Sequence, residues 1–180
     1  GVNAIDGARL VLDQLARLPI TKGGHSGLGE ASLATNFIES FPRATHTIQN
    51  RVVISLDRRI LPGQDPQAAF EEIRRGLSLP EPWRLEVRLG AYMYPCEIAD
   101  GGRLMTAIRA GCLAQGLAPP EAFWSHGALD AGYLTERGCE TAMWGPGPQE
   151  RWHSDEEIVE AADLDAGARA YLGLITAALA

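Results

Sequence analysis

The hydrophobic and polar positions alternate between two periods along this chain, and the switches between them mark its elements. Ile5, Ala8, Val11, Leu12, Leu15 and Leu18 recur at helical spacing, and Pro19 ends the run. Residues 20–34 are rich in Gly and Ser and read as a loop. From Thr47 to Asp57 the period drops to two. Ile48, Val52, Ile54 and Leu56 take one face, and Gln49, Arg51, Ser55 and Asp57 the other, as in a half-buried strand. Leu61-Pro62-Gly63 is a turn. Asp65 is suited to cap a following helix with Pro66 at its first position, and Phe70, Ile73 and Leu77 form that helix's stripe. After Pro80 and Pro82 a second alternating strand places Trp83, Leu85, Val87, Leu89 and Ala91 on one face. Helix, strand, helix, strand over residues 1–94 suits a small sheet with helices on one side, an α+β sandwich.

Pro95 marks a candidate domain boundary. A helix is expected from about Gly102, with Leu104, Ile108 and Cys112 inward and Gly116 as its stop. A short strand near 122–125 leads to a short helix over 129–137, closed by Gly138. Residues 139–144 form an apolar strand of the buried type, and Gly145-Pro146-Gly147-Pro148 is a rigid turn after it. The last helix is expected to be capped by Asp163 and to turn Leu164, Ala168, Tyr171, Leu172, Ile175 and Leu179 inward. Residues 95–180 therefore read as half of an α/β sheet domain.

Composition narrows the function classes. The 180 residues are 46% hydrophobic and 22% charged, ordinary values for a globular protein. The formal net charge of −7 disfavours a nucleic-acid partner or an anionic membrane surface, which need an electropositive face. Lys22 is the single lysine; the other basic residues are arginines. Cys96, Cys112 and Cys139 include no C-x-x-C pair, which suggests a reduced, cytoplasmic setting rather than a disulfide framework. No apolar run reaches the roughly 18 residues of a membrane span.

Four positions are candidates for chemistry. His153-Ser154-Asp155-Glu156-Glu157 follows a strand end and a Gly-Pro turn, where open α/β sheets bind ligands. His153 there is either a metal ligand or a solvent-exposed histidine in an acidic, helix-opening loop. Asp57 and Arg59 share one strand face. Arg59 is either a two-pronged grip for a carboxylate or one half of a surface ion pair. His46 leads into the same strand. Asp130 stands at a strand-to-helix turn and either caps the helix or orients a neighbouring group. Ser125 and His126 point to opposite faces if they lie on a strand, so they make a poor nucleophile–base pair. Nothing here completes a metal site, because catalytic zinc needs three protein ligands.

The ordered set of motifs resembles a known family. Gly1-Val2-Asn3-Ala4-Ile5 resembles the G-x-N-A-I opening of a lid-domain helix. Ile54-Ser55-Leu56-Asp57-Arg58-Arg59 with Leu61-Pro62-Gly63 resembles a D-x-R strand and P-G turn. Leu129-Asp130-Ala131, Gly138, Trp144-Gly145-Pro146-Gly147 and His153-Ser154-Asp155-Glu156 resemble an S-D-A … G … G-P-G … H-x-x-D-E ending. These belong to the zinc-dependent amidohydrolases and metallopeptidases, which include acetylornithine deacetylase, succinyl-diaminopimelate desuccinylase, aminoacylase and glutamate carboxypeptidases. The resemblance implies a lid and dimerisation domain over residues 1–94, lacking its first strand. Residues 95–180 would then be the C-terminal segment of a zinc-binding α/β catalytic domain. It implies hydrolysis of an amide bond in N-acyl amino acids or dipeptides by a water on one or two Zn2+ ions, with Co2+ as an alternative. His153 would be the one metal ligand of this chain, and Arg59 and His46 the substrate contacts. Asp130 would sit behind the metal ligands. No catalytic residue matches here, since the general base and the other ligands are expected upstream of Gly1. The resemblance also implies a homodimer formed through the lid. His46 stands where the family has Asn, and Leu129 where it has Ser or Thr. The competing reading is a non-catalytic dimerisation or ligand-binding module.

Overall fold

A computed structural model describes residues 1–179. The chain divides into two compact units, Gly1–Pro95 and Cys96–Ala180.

In the first unit, helix α1 (Ala4–Leu15) starts at Asn3, whose side-chain oxygen accepts the Ile5 N–H at 3.1 Å. Strands β1 (Ser32–Phe41) and β2 (Arg51–Arg59) form an antiparallel pair running from Ser32 opposite Arg59 to Phe41 opposite Arg51. The register shifts once, between Thr35 and Phe37, which leaves Asn36 as a bulge. The Arg51 guanidinium lies over the Phe41 ring at 4.3 Å, a cation–π contact across the end of the ladder. Helix α2 (Pro66–Gly76) begins as its sequence requires: Asp65 accepts the Ala68 N–H at 2.8 Å and Pro66 takes the first position. Val11, Ile73 and Leu77 are the buried centre, and Leu33, Ile54 and Leu56 of the two strands pack on it. That is a small sheet covered by helices on one face, the expected α+β arrangement.

Arg58 ties the end of β2 to this core. Its guanidinium donates to the carbonyls of Thr21, at 2.8 Å, and Arg59, at 2.9 Å. It also lies 3.5 Å from Glu72 of α2, whose other oxygen accepts both the N–H and the hydroxyl of Thr21 at 2.7 Å. The charge is thus paired and hydrogen-bonded where its side chain is nearly covered, as burial demands.

In the second unit, helix α3 (Arg103–Ala114) carries Met105, Ile108 and Cys112 into a core shared with Ala170. Its N-cap, Gly102, has no side chain to offer. Glu140 supplies the missing acceptor from far along the chain, taking the Leu104 N–H at 2.8 Å. Gly116 at φ 69° stops the helix as expected. Helix α4 (Ala131–Thr135) is a single short turn, followed by Gly138 at φ 82°. Helix α5 (Ala161–Leu179) completes the unit.

Three sequence expectations are corrected here. Residues 83–91, 122–125 and 139–144 form no strand ladder, because a strand needs a hydrogen-bonded neighbour and none pairs with them among the described residues. Trp83 and Val87 still turn inward, and the Trp83 indole donates to the Asn3 carbonyl at 2.9 Å, but Leu85 and Leu89 are exposed. Conversely, β1 lies partly in the stretch expected to be a loop. The third correction concerns α5. Leu164, Leu172, Ile175 and Leu179 face outward, and the small residues Ala170 and Gly173 face α3. The physical reason is the crossing of the two helices. A methyl group on Gly111 of α3 would run into the backbone of Gly173 and Leu174. Asp163 stands in the first turn of α5 rather than at its cap.

Gly111→Ala is therefore expected to lower the unfolding free energy by roughly 1–3 kcal/mol, or to part the helices. Gly76→Ala is expected to be close to neutral, because the group it meets is the flexible end of Leu18 and not backbone. Urea denaturation of the two variants checks the contrast. An electrostatic expectation follows from α3. The Arg109 side chain bonds Asp100 at 2.6 Å and holds its carboxyl below the usual carboxylate range. A folded value below the unfolded one adds stability above the unfolded pKa and loses it as pH falls through the folded one. Asp100→Asn should thus shrink the acid-side loss of stability, most visibly below about pH 4. Denaturation midpoints measured against pH check this.

Candidate functional site

The second unit carries the stretch with the most distinctive local geometry. After Gly145-Pro146-Gly147-Pro148 the chain makes one 3-10 turn, Gln149–Arg151, and then folds back on itself. Gly147, at φ 108°, takes a conformation open to glycine. His153 follows at φ 58°, the one non-glycine residue with positive φ among the described residues. Its N–H donates to the Glu157 carboxylate at 2.9 Å. The Ser154 hydroxyl donates to the Arg151 carbonyl at 2.8 Å and accepts the Glu156 N–H at 3.3 Å. Trp152 packs at a tilt on Phe123, ring centres 6.1 Å apart. The loop thus leans on the segment that leads to His126 and Asp130.

Beside this loop lies a groove of about 530 Å³. The Gly-Pro turn, Trp144, Ile158 and Tyr171 give it apolar walls, and Arg151, Glu160 and Asp163 give it charge. Trp144 and Tyr171 are locked together: their rings are 4.6 Å apart, and the Tyr171 hydroxyl donates to the Trp144 carbonyl at 2.6 Å. Periodicity had turned Tyr171 toward the core, so its place on a groove wall was not legible in the pattern.

The other expected positions fall as follows. Asp130 stands at the N-cap of α4 but makes no side-chain capping bond, because its own backbone is already helical. The capping alternative is thereby corrected, and the carboxylate is exposed. Arg59 closes β2 and donates from Nε to Asp57 at 2.9 Å, the surface pair that shared-face spacing allows. His46 lies in an exposed turn, since β2 starts only at Arg51. The strand expected from Thr47 is shortened accordingly, and His46 is not part of it. His153, Asp155, Glu156 and Glu157 are all exposed. His25, which carried no sequence signal, has a structural part. Its Nδ1 accepts the N–H groups of Gly27 and Leu28, both at 3.1 Å, and organises the Gly-rich turn. Among the described residues, no three His, Cys, Asp or Glu side chains come together as a set that could hold a metal.

Cys96 and Cys112 are not activated nucleophiles. Burial pushes the Cys96 and Cys112 thiols up, away from the thiolate. Cys139 is the exposed thiol. A thiol-specific reagent on the folded chain should therefore modify Cys139 first, Cys96 more slowly, and Cys112 only on unfolding. Peptide mass mapping over time reads the order.

No protein-family profile matches the chain, and no curated protein does. Solved structures do. The whole chain aligns with 46% of the aminopeptidase PepT from Bacillus cereus, with a TM-score of 0.66 and 18% identity. It aligns over 97% of its length with 45% of Sso-CP2, an M20 family metallo-carboxypeptidase from Sulfolobus solfataricus, with a TM-score of 0.59 and 15% identity. The chain has the fold of the matched part of these peptidases and spans less than half of their length. No helix among its described residues is long and apolar enough to cross a membrane.

Proposed function

We propose that this chain is the lid and the C-terminal catalytic segment of a metal-dependent hydrolase that cleaves an amide bond in N-acyl amino acids or small peptides. The observation that carries this reading is the structural match: 100% and 97% of the chain, residues of both compact units included, align with two peptidases that share under a fifth of its residues. The ordered motifs ending in His153 support it independently.

The chain's own residues limit what it does in that reaction. The described residues do not fit a complete metal centre, since no set of three donors converges. In the proposal His153 contributes one imidazole, and the remaining donors come from protein outside residues 1–179. The outward stripe of Leu164, Leu172, Ile175 and Leu179 supports such a complement, because a helix apolar on two faces is one that packs on two sides. In the first unit, the Arg59 guanidinium grips the substrate carboxylate and so orients the neighbouring amide. It meets Asp57 already in place, so an incoming carboxylate shares or displaces an existing partner. His46, in an exposed turn, is the second substrate contact of this reading. Asp130 lies exposed at the start of α4, to steer a neighbouring group. Self-association through the first unit belongs to the same proposal, with a second copy adding to the sheet edge that β1 and β2 leave open.

In the full-length protein that carries this chain, His153→Ala is expected to remove bound metal and to lower kcat by at least about 100-fold, more than a residue acting through another would. Arg59→Ala is expected to raise KM for carboxylate-bearing substrates by about 10-fold or more, with a smaller effect on kcat. Metal analysis and steady-state kinetics on an N-acyl amino acid and dipeptide panel measure both. Unchanged metal content and rates in His153→Ala would refute the reading.

A further inference from the structure

His153 occupies a backbone conformation that side-chain-bearing residues seldom adopt, and the chain restrains it from both sides. At φ 58° the Cβ crowds its own backbone. A residue persists there only where its surroundings over-determine it, and such outliers concentrate at working sites. Upstream, Trp152 is seated on Phe123; downstream, the Ser154 hydroxyl donates to the Arg151 carbonyl. Those contacts fix the flanks. The contact on His153 itself comes from Glu157, which reaches back four residues to accept the His153 N–H at 2.9 Å. An N–H to carboxylate bond is of the stronger, charge-assisted kind. The imidazole, by contrast, makes no hydrogen bond with any described residue. A tied backbone beneath an unengaged ring is the arrangement of a presented side chain.

We infer that Glu157 is a positioning residue, which sets the direction of the His153 side chain by holding its amide in the left-handed conformation. The use of the ring rests on the hydrolase reading above; the positioning does not. The test is NMR on the complete chain and on the variants Glu157→Ala and Glu157→Gln. In Glu157→Ala the His153 amide proton should move upfield and exchange about 10-fold faster. Its Cα and Cβ shifts should also leave the left-handed range. Glu157→Gln keeps an acceptor oxygen and should restore most of the parent signature. Both variants should keep the parent thermal midpoint, because the pair is exposed. An unmoved His153 in Glu157→Ala overturns the inference, and so does a loss in Glu157→Gln as large as in Glu157→Ala. Failure of the hydrolase reading is separate: it would show as an active His153→Ala enzyme, with these spectra unchanged.

Discussion

The second unit depends on one steric constraint, the meeting of α3 and α5 at Gly111 and Gly173 with nothing between their backbones. Close approach of two helices requires small residues where they touch, and it decides which way each helix turns its larger side chains. With Ala170 and Gly173 committed to the crossing, the leucines and isoleucine of α5 have only the outer side left. The same crossing brings the start of α5 against the Gly-Pro turn, where Gly167 lies beside Pro146, and so forms one wall of the groove. Packing, groove and outward apolar stripe are three results of one contact.

In the first unit the alternation of a strand separates two neighbouring arginines into two jobs. Arg58 points inward and is consumed by structure, bonded to the carbonyls of Thr21 and Arg59 and set beside Glu72. Arg59, one residue on, points the other way and pairs with Asp57 two residues back. An arginine fixed by carbonyls and a carboxylate cannot be lent to a ligand, whereas an exposed ion pair is weak and exchangeable. In the proposed reading it is Arg59, next to an anchored neighbour, that meets the substrate carboxylate.

What the sequence revealed and what it hid divide along the range of the interactions. Asp65 with Pro66, Gly116 and Gly138 act within a few residues of themselves, and each helix end they predict is found. The phase of α5 was misread because its partner is Gly111, some sixty residues away, and periodicity alone cannot rank a small face above a large one. β1 was missed because the bulge at Asn36 breaks its alternation midway. The ladders expected at 83–91, 122–125 and 139–144 depend on neighbours that a pattern does not name. At the candidate site, the loop position of His153 was legible from the Gly-Pro turn before it. The bond from Glu157 was not, since a four-residue spacing usually signals a helix and here closes a turn.

The scarcity of lysine has a practical side. Lys22, paired with Glu30 at 3.1 Å and largely open to solvent, carries the lone side-chain amine, and it belongs to the first unit. The exposed thiol, Cys139, belongs to the second. Fluorophores of amine and thiol specificity, with the amino terminus blocked, would give each unit its own colour. Energy transfer between them would then report the distance between the two labels in solution without a single engineered residue.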